Sequence, residues 1–272
     1  MSSLSMIPEF KRLDGSNDIV HFRAPTVADC RNFASIPESS EQLVVTQYLS
    51  DLQVPDKRRN KDISDPKEWT DCDRMLALFW IYIATQSSTV ITQSYFCQHC
   101  DQEHGRQMEL SSLSEQIKLA DAPMEQAIQT PNIKQGFIVP LRGFAMEHIE
   151  DLKNFRDSHM QDSKEWAIAH TDMRLYESAY RLRFDDDDKE KTEQEQAKAR
   201  FEYLLTLEPD VQYQPLAIEI RQAMIDMHHG LPTTFIEGEL NLITPEHKCP
   251  NKEGSSSNLL LPFHHNKYFP AI

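Results

Sequence analysis

Apolar residues along this chain recur mostly at helical spacing and alternate only in short stretches, which predicts helices joined by small hairpins. Leu43, Val44, Gln47, Tyr48 and Leu52 line one face of a helix over residues 38–52, stopped by Val54-Pro55. Ser64-Asp65-Pro66 reads as the start of another helix running to Thr85, apolar nearly all round from Met75 onward and therefore the buried centre of the first half. Ahead of these, residues 18–23 read as a short strand ended by Ala24-Pro25. Thr26 is placed to cap a helix to about residue 35, with Asp29 at its third position. Residues 88–96 alternate and lead into a polar turn, and an amphipathic piece over 117–128 precedes a boundary at Thr130-Pro131.

The pattern then begins again. Residues 135–140 form a strand ended by proline, followed by a helix bearing Phe144, His148, Leu152 and Phe155 and another bearing Trp166, Ala169, Met173, Tyr176 and Tyr180. Four adjacent carboxylates at 185–188 repel one another and read as a solvated turn, because the alternating ligands and glycine of a calcium loop are missing. Helices over 191–207 and 214–229 follow, the second stopped by Gly230, and then a strand over 233–243, a turn at Cys249 and the apolar run 259–263. Phe22-Arg-Ala-Pro25 and Phe137-Ile-Val-Pro140 share a spelling before a helix, and both halves close in helix, strand and cysteine turn. The expectation is an α+β fold, mainly helical with small β-hairpins. It divides into halves 1–130 and 131–272 and carries a degenerate internal repeat, residues 18–113 and 133–263, with extra helical sequence between Arg156 and Arg200.

Composition narrows the function classes. Against 28 basic residues stand 43 acidic ones, a formal charge of −15, which opposes any binding mode built on phosphate neutralisation; no nucleic-acid partner is expected. Seven glycines leave no phosphate cradle, and Gly-x-Ser-x-Gly is absent, so no enzyme chemistry is recognisable. The apolar run at 75–84 is too short to span a bilayer, the Met1-Ser-Ser start lacks the regions of a signal peptide, and five cysteines are an odd number. Reduced thiols in a cytoplasm, and no membrane partner, are the expectation. The triplet Lys57-Arg58-Arg59 reads as a solvated loop, and His228-His229 and His264-His265 as exposed or hydrogen-bonding side chains.

One motif carries chemistry. Cys97-Gln-His-Cys100 places two thiols on one side of a tight turn, half of a tetrahedral zinc site. A redox role is disfavoured because the surrounding sequence reads as strand rather than as the start of a helix. The other half would come from Cys249, in a second knuckle whose last cysteine position holds Lys252, with one histidine, His247 being the candidate. The set Cys97, Cys100, Cys249 and His247 is one reading; a pair of empty turns is the other, since Lys252 offers a cation where a ligand is wanted. The final 14 positions hold Leu259, Leu260, Leu261, Phe263, Tyr268 and Phe269, whose exposure to water would be unfavourable by several kcal/mol at roughly 25 cal/mol per Å². Packing of 259–263 on the body and partner contact by residues 268–272, with Tyr268 and Phe269 as anchors, is the expectation.

In order, these features resemble the baseplate hub and hub-assembly proteins of contractile-tailed bacteriophages. The resemblance lies in Arg23-Ala-Pro-Thr-Val-Ala-Asp29, Phe96-Cys-Gln-His-Cys100 leading to Glu109-Leu110, His229-Gly230, the second cysteine turn, Leu261-Pro-Phe263 and Tyr268-Phe-Pro270. Lys252 and the acidic insert depart from the pattern. The resemblance implies a non-enzymatic structural or assembly protein, a hub component or a chaperone of hub assembly. It would meet other phage tail and baseplate proteins, in the host cytoplasm during assembly and in the virion baseplate if retained. Self-association into a homo-oligomer stays open. The competing class is a cytoplasmic zinc-hairpin adaptor or enzyme.

Overall fold

Thr26 caps the first helix as its spacing requires: its side chain accepts from the Asp29 backbone N–H while the Asp29 carboxylate accepts from the Thr26 N–H. Arg23 donates to both oxygens of the same carboxylate, at 2.6 and 3.0 Å, and holds it well below its ordinary acidity range. The computed structural model describes residues 6–34, 36–55, 63–236 and 239–269. The Lys57-Arg58-Arg59 triplet and the terminal Pro270, Ala271 and Ile272 lie outside them. The helices are α1 (Val27–Asn32), α2 (Glu41–Leu52), α3 (Asp71–Thr85), α4 (Gly143–Asp157), α5 (Lys164–Tyr180), α6 (Glu193–Leu204) and α7 (Gln214–Asp226). Small antiparallel sheets connect them, so the class is α+β.

Several elements differ from the sequence expectation, for identifiable reasons. The helix foreseen from Ser64 is instead a single 3-10 turn, Pro66–Glu68, capped by Asp65. Trp69 is extended, and Thr70 caps α3 afresh by accepting from the Asp73 N–H. The break lets Trp69 turn fully into the core, 6.1 Å from Phe10 and 6.3 Å from Phe22 between ring centroids. The helical piece foreseen over 117–128 does not form, and Gln126–Ala127 pairs instead as a strand with Phe137–Ile138, because its backbone bonds are taken elsewhere. Lys118 exchanges them with Gly230, and the Asp121 and Ala122 amides both donate to the Asp226 carbonyl.

The core does not divide at 130/131. One cluster gathers Phe22, Tyr48, Leu49, Leu52, Leu78, Phe79 and Ile81 around α2 and α3, together with Leu231, Leu242, Leu261, Phe263, Tyr268 and Phe269 from the far end. A second, built on Ile138, Leu182, Leu204, Leu216 and Ile220, belongs to the intervening segment. The C-terminal segment therefore returns to the first core. It does so through a sheet in which Glu239–Ile243 pairs with Thr233–Ile236 on one side and Leu260–Pro262 on the other. The run 233–243, expected as one strand, is thus a hairpin.

Tyr268 and Phe269 are the clearest correction. Both are buried, Tyr268 stacked on Phe263 at 4.5 Å and Phe269 at 4.5 Å from Tyr48, so neither side chain is available as an anchor for another protein. Their hydrophobic demand is met inside the chain.

A polar joint ties α4 to this core. Arg74, buried on α3, donates to Thr46 Oγ1 at 2.9 Å and to the Gln42 carbonyl at 2.8 Å, and Thr46 in turn donates to Glu147 at 2.6 Å. Glu150 accepts from the Gln42 N–H near the start of α2. Nearby, Asp73 accepts from the Leu13 N–H at 2.8 Å and lies 3.6 Å from buried His229, tying the N-terminal segment to the chain after α7. His228-His229 are thus hydrogen-bonding side chains as expected, and His229 also meets Thr70 Oγ1 at 3.1 Å.

Candidate metal centre

Strands Val90–Cys97 and Gln102–Glu109 form a two-stranded hairpin whose turn is closed by the Asp101 N–H donating to the Cys97 carbonyl at 2.9 Å. Asp101 takes φ +53°, a conformation that aspartate tolerates better than most residues. The register pairs Cys97 with Gln102 and Tyr95 with His104. Side chains of paired residues share a face, so Tyr95, Cys97, Gln102, His104 and Arg106 all point one way.

That face receives the second cysteine turn. His247–Lys248 pairs with Ser256–Ser257, and the Cys249 N–H donates to the Ser255 carbonyl at 2.8 Å, closing a small knuckle. Polar contacts dock the first hairpin on the second and on the segments flanking it. Asn251 donates to Gln102 at 2.6 Å, His99 Nε2 lies 3.1 Å from the Ser256 carbonyl, Arg106 donates to the Pro245 carbonyl at 3.1 Å and Gln93 to the Leu260 carbonyl at 3.2 Å. Both cysteine turns therefore lie on antiparallel hairpins, and the hairpins meet.

At the junction the donor atoms of Cys97, Cys100, His104 and Cys249 all lie within 4.8 Å of one another. The Cys97 and Cys249 sulfurs are 3.6 Å apart and Cys100 Sγ is 3.1 Å from His104 Nε2. Donors bound at about 2.0–2.3 Å around a tetrahedral ion sit roughly 3.3–3.8 Å from each other, so the Cys97–Cys249 spacing already fits and the other donors need only small side-chain shifts to share one ion. Cys97 and Cys249 are buried and the other two half-buried. The cluster could hold a metal ion. A backbone hydrogen bond from His99 lowers the Cys97 thiol pKa, whereas desolvation pushes Cys100 up to about 11. A bound cation would hold all three sulfurs as thiolates.

Three of the four residues foreseen from the sequence, Cys97, Cys100 and Cys249, come together; His247 does not join them. Its ring packs edge-on against Tyr95 at 4.8 Å, and burial followed by the Arg106 charge lowers its pKa. His247 still lies on a paired strand while Cys249 has already entered the turn, so the two side chains part. His104 supplies the fourth donor instead. Its place beside Cys97 follows from the register that pairs Cys97 with Gln102, two positions before His104 on the facing strand, which the spacing of the residues did not give. Lys252, at the missing fourth knuckle position, is exposed, and its carbonyl accepts from the Ser255 N–H at 3.3 Å.

A second thiol–imidazole contact, Cys72 Sγ to His228 Nδ1 at 3.6 Å, lacks the character of a nucleophile. Burial, and then the Asp71 charge, push that thiol well above its ordinary value, so it stays protonated. Among the described residues no helix is long and apolar enough to cross a membrane. Comparison with protein-family models, with curated proteins and with solved structures found no match.

Proposed function

We propose that this chain is a non-enzymatic structural or assembly protein of the contractile phage tail baseplate, a hub component or hub-assembly chaperone. One zinc ion clamps its two cysteine hairpins. The observation that carries the zinc part is the donor set: three thiols and one imidazole from both hairpins lie within 4.8 Å of one another, the four ligands a structural zinc takes without water or substrate. Softness of the three sulfurs favours zinc over the oxygen-seeking cations. Such an ion has a structural task, holding residues near 100 against residues near 250 and so fixing the surface these hairpins present to other subunits. The baseplate part is supported by the order of sequence motifs, from Arg23-Ala-Pro-Thr26 to Tyr268-Phe-Pro270, and by the net charge, which disfavours nucleic acid as the partner.

Elemental analysis of the purified protein is the test for zinc. One zinc per chain is expected, lost or strongly weakened in His104→Ala and retained in His247→Ala. Loss in the second variant alone would reinstate His247 as the ligand, and absence of metal from the unsubstituted protein would end the zinc reading. For the assembly role, tails made by a phage lacking this gene should show missing or incomplete baseplates in electron micrographs. Intact, infective tails would refute it.

A further inference from the structure

We infer that Cys97 and Cys249 are an oxidation site: when the metal is absent they close into a disulfide that locks the same two hairpins together, while Cys100 stays a thiol beside His104. The inference depends on the zinc reading only for what protects the thiols. Its own basis is geometric. The two sulfurs already lie 3.6 Å apart on different hairpins, and a disulfide needs about 2.05 Å, a gap that small side-chain rotations can close. Both residues are buried and backed by the docking bonds Asn251 to Gln102 and His99 to Ser256, so the hairpins hold the pair in place without the ion. Cys100, by contrast, has its sulfur engaged with the His104 imidazole at 3.1 Å besides standing near the other two sulfurs, so Cys97 and Cys249 are the pair with no such competing partner. A Cys97–Cys249 bond also encloses most of the chain between the hairpins, and so restrains the unfolded state far more than a bond within the knuckle.

The oxidant is hydrogen peroxide. One thiol, as its thiolate, attacks a peroxide oxygen and breaks the O–O bond. The departing hydroxide takes up the proton lost from that sulfur and leaves as water. The second thiol then displaces the sulfenic hydroxyl, its proton leaving with that group as a second water, and the S–S bond forms. Two electrons pass from the sulfurs to the peroxide. Zinc bound to the same sulfurs would draw on the electron density with which they attack and hold them at ligand spacing, so metal and disulfide are alternative fasteners of one joint.

The experiment uses the full chain, with and without prior removal of metal by a chelator. Each sample is treated with hydrogen peroxide, its remaining thiols are alkylated, and digested peptides are identified by mass spectrometry. Cys97 linked to Cys249 with Cys100 alkylated is the expected result in the stripped protein, with at least tenfold slower formation in the metal-loaded sample. Cys100→Ser should still cross-link and migrate faster on a non-reducing denaturing gel, whereas Cys97→Ser should not. A Cys97–Cys100 bond, mixed pairings as an unfolded chain would give, or no disulfide at all overturns the inference. Equal rates with and without metal overturn the alternation. If the protein never carries metal yet forms the Cys97–Cys249 bond, the zinc reading fails and this one stands.

Discussion

Replacing Phe269 by alanine should cost about 3 kcal/mol of folding stability although the residue stands near the end of the chain. Its ring is only 5% exposed and lies 4.5 Å from Tyr48 and 5.9 Å from Phe33, between α2 and the segment after α1. An aromatic side chain buries about 150–250 Å². At roughly 25 cal/mol per Å² that corresponds to about 4–6 kcal/mol for full burial, and buried Phe→Ala changes cost about 3–5 kcal/mol. The lower end applies here because part of the ring still meets solvent, so its burial is not complete. Urea unfolding followed by circular dichroism should show the midpoint fall with little change in slope, since the surface exposed on unfolding is nearly unchanged. Phe155→Ala is the control: that ring is 59% exposed, and its loss should change stability by no more than about 0.5 kcal/mol. A drop below about 1 kcal/mol for Phe269→Ala would show that the tail does not belong to the core, and would return Tyr268 and Phe269 to the role of partner anchors.

Two further predictions concern the joint between α4 and the first core. A Cβ on Gly143 would stand 1.9 Å from an Arg74 guanidinium nitrogen and 2.7 Å from the Pro66 carbonyl, so Gly143→Ala should cost about 1–3 kcal/mol, while Gly105→Ala, which meets nothing within 4 Å, should be near neutral by thermal unfolding. Burial, then the neighbouring Glu41 charge, push Glu150 up to about 7 despite the Gln42 N–H it accepts. The native state therefore holds a proton that the unfolded state has released, and stability should fall as pH rises from about 4.5 to about 7. Glu150→Gln keeps an acceptor for that N–H and should abolish this part of the slope, raising stability at pH 8 by about 1 kcal/mol once screening of a half-exposed group is allowed for; an unchanged pH profile would refute it.

What the sequence determines by itself is what neighbours along the chain can settle. Thr26 and Asp29 are three residues apart, and their capping box follows from that spacing alone, as does the same arrangement at Thr192 and Glu195. Cys97 and Cys100 form half a metal site because a four-residue turn leaves their sulfurs on one side. The apolar surround of α3 required burial wherever the helix went, and it became the centre of the larger core. The fourth ligand was of another kind. Choosing between His104 and His247 needed the register that sets His104 opposite Tyr95, together with the point at which the second strand gives way to its turn. Likewise, the hydrophobicity of Tyr268 and Phe269 demanded burial but named no place, since a subunit surface and the chain's own α2 and α3 would satisfy it equally. Only the return of the last strand to Glu239–Ile243 carried those rings to Tyr48 and Phe79. Short-range spacing fixes caps and turns because few conformations compete there, whereas contacts between residues more than a hundred positions apart are set by how whole elements pack.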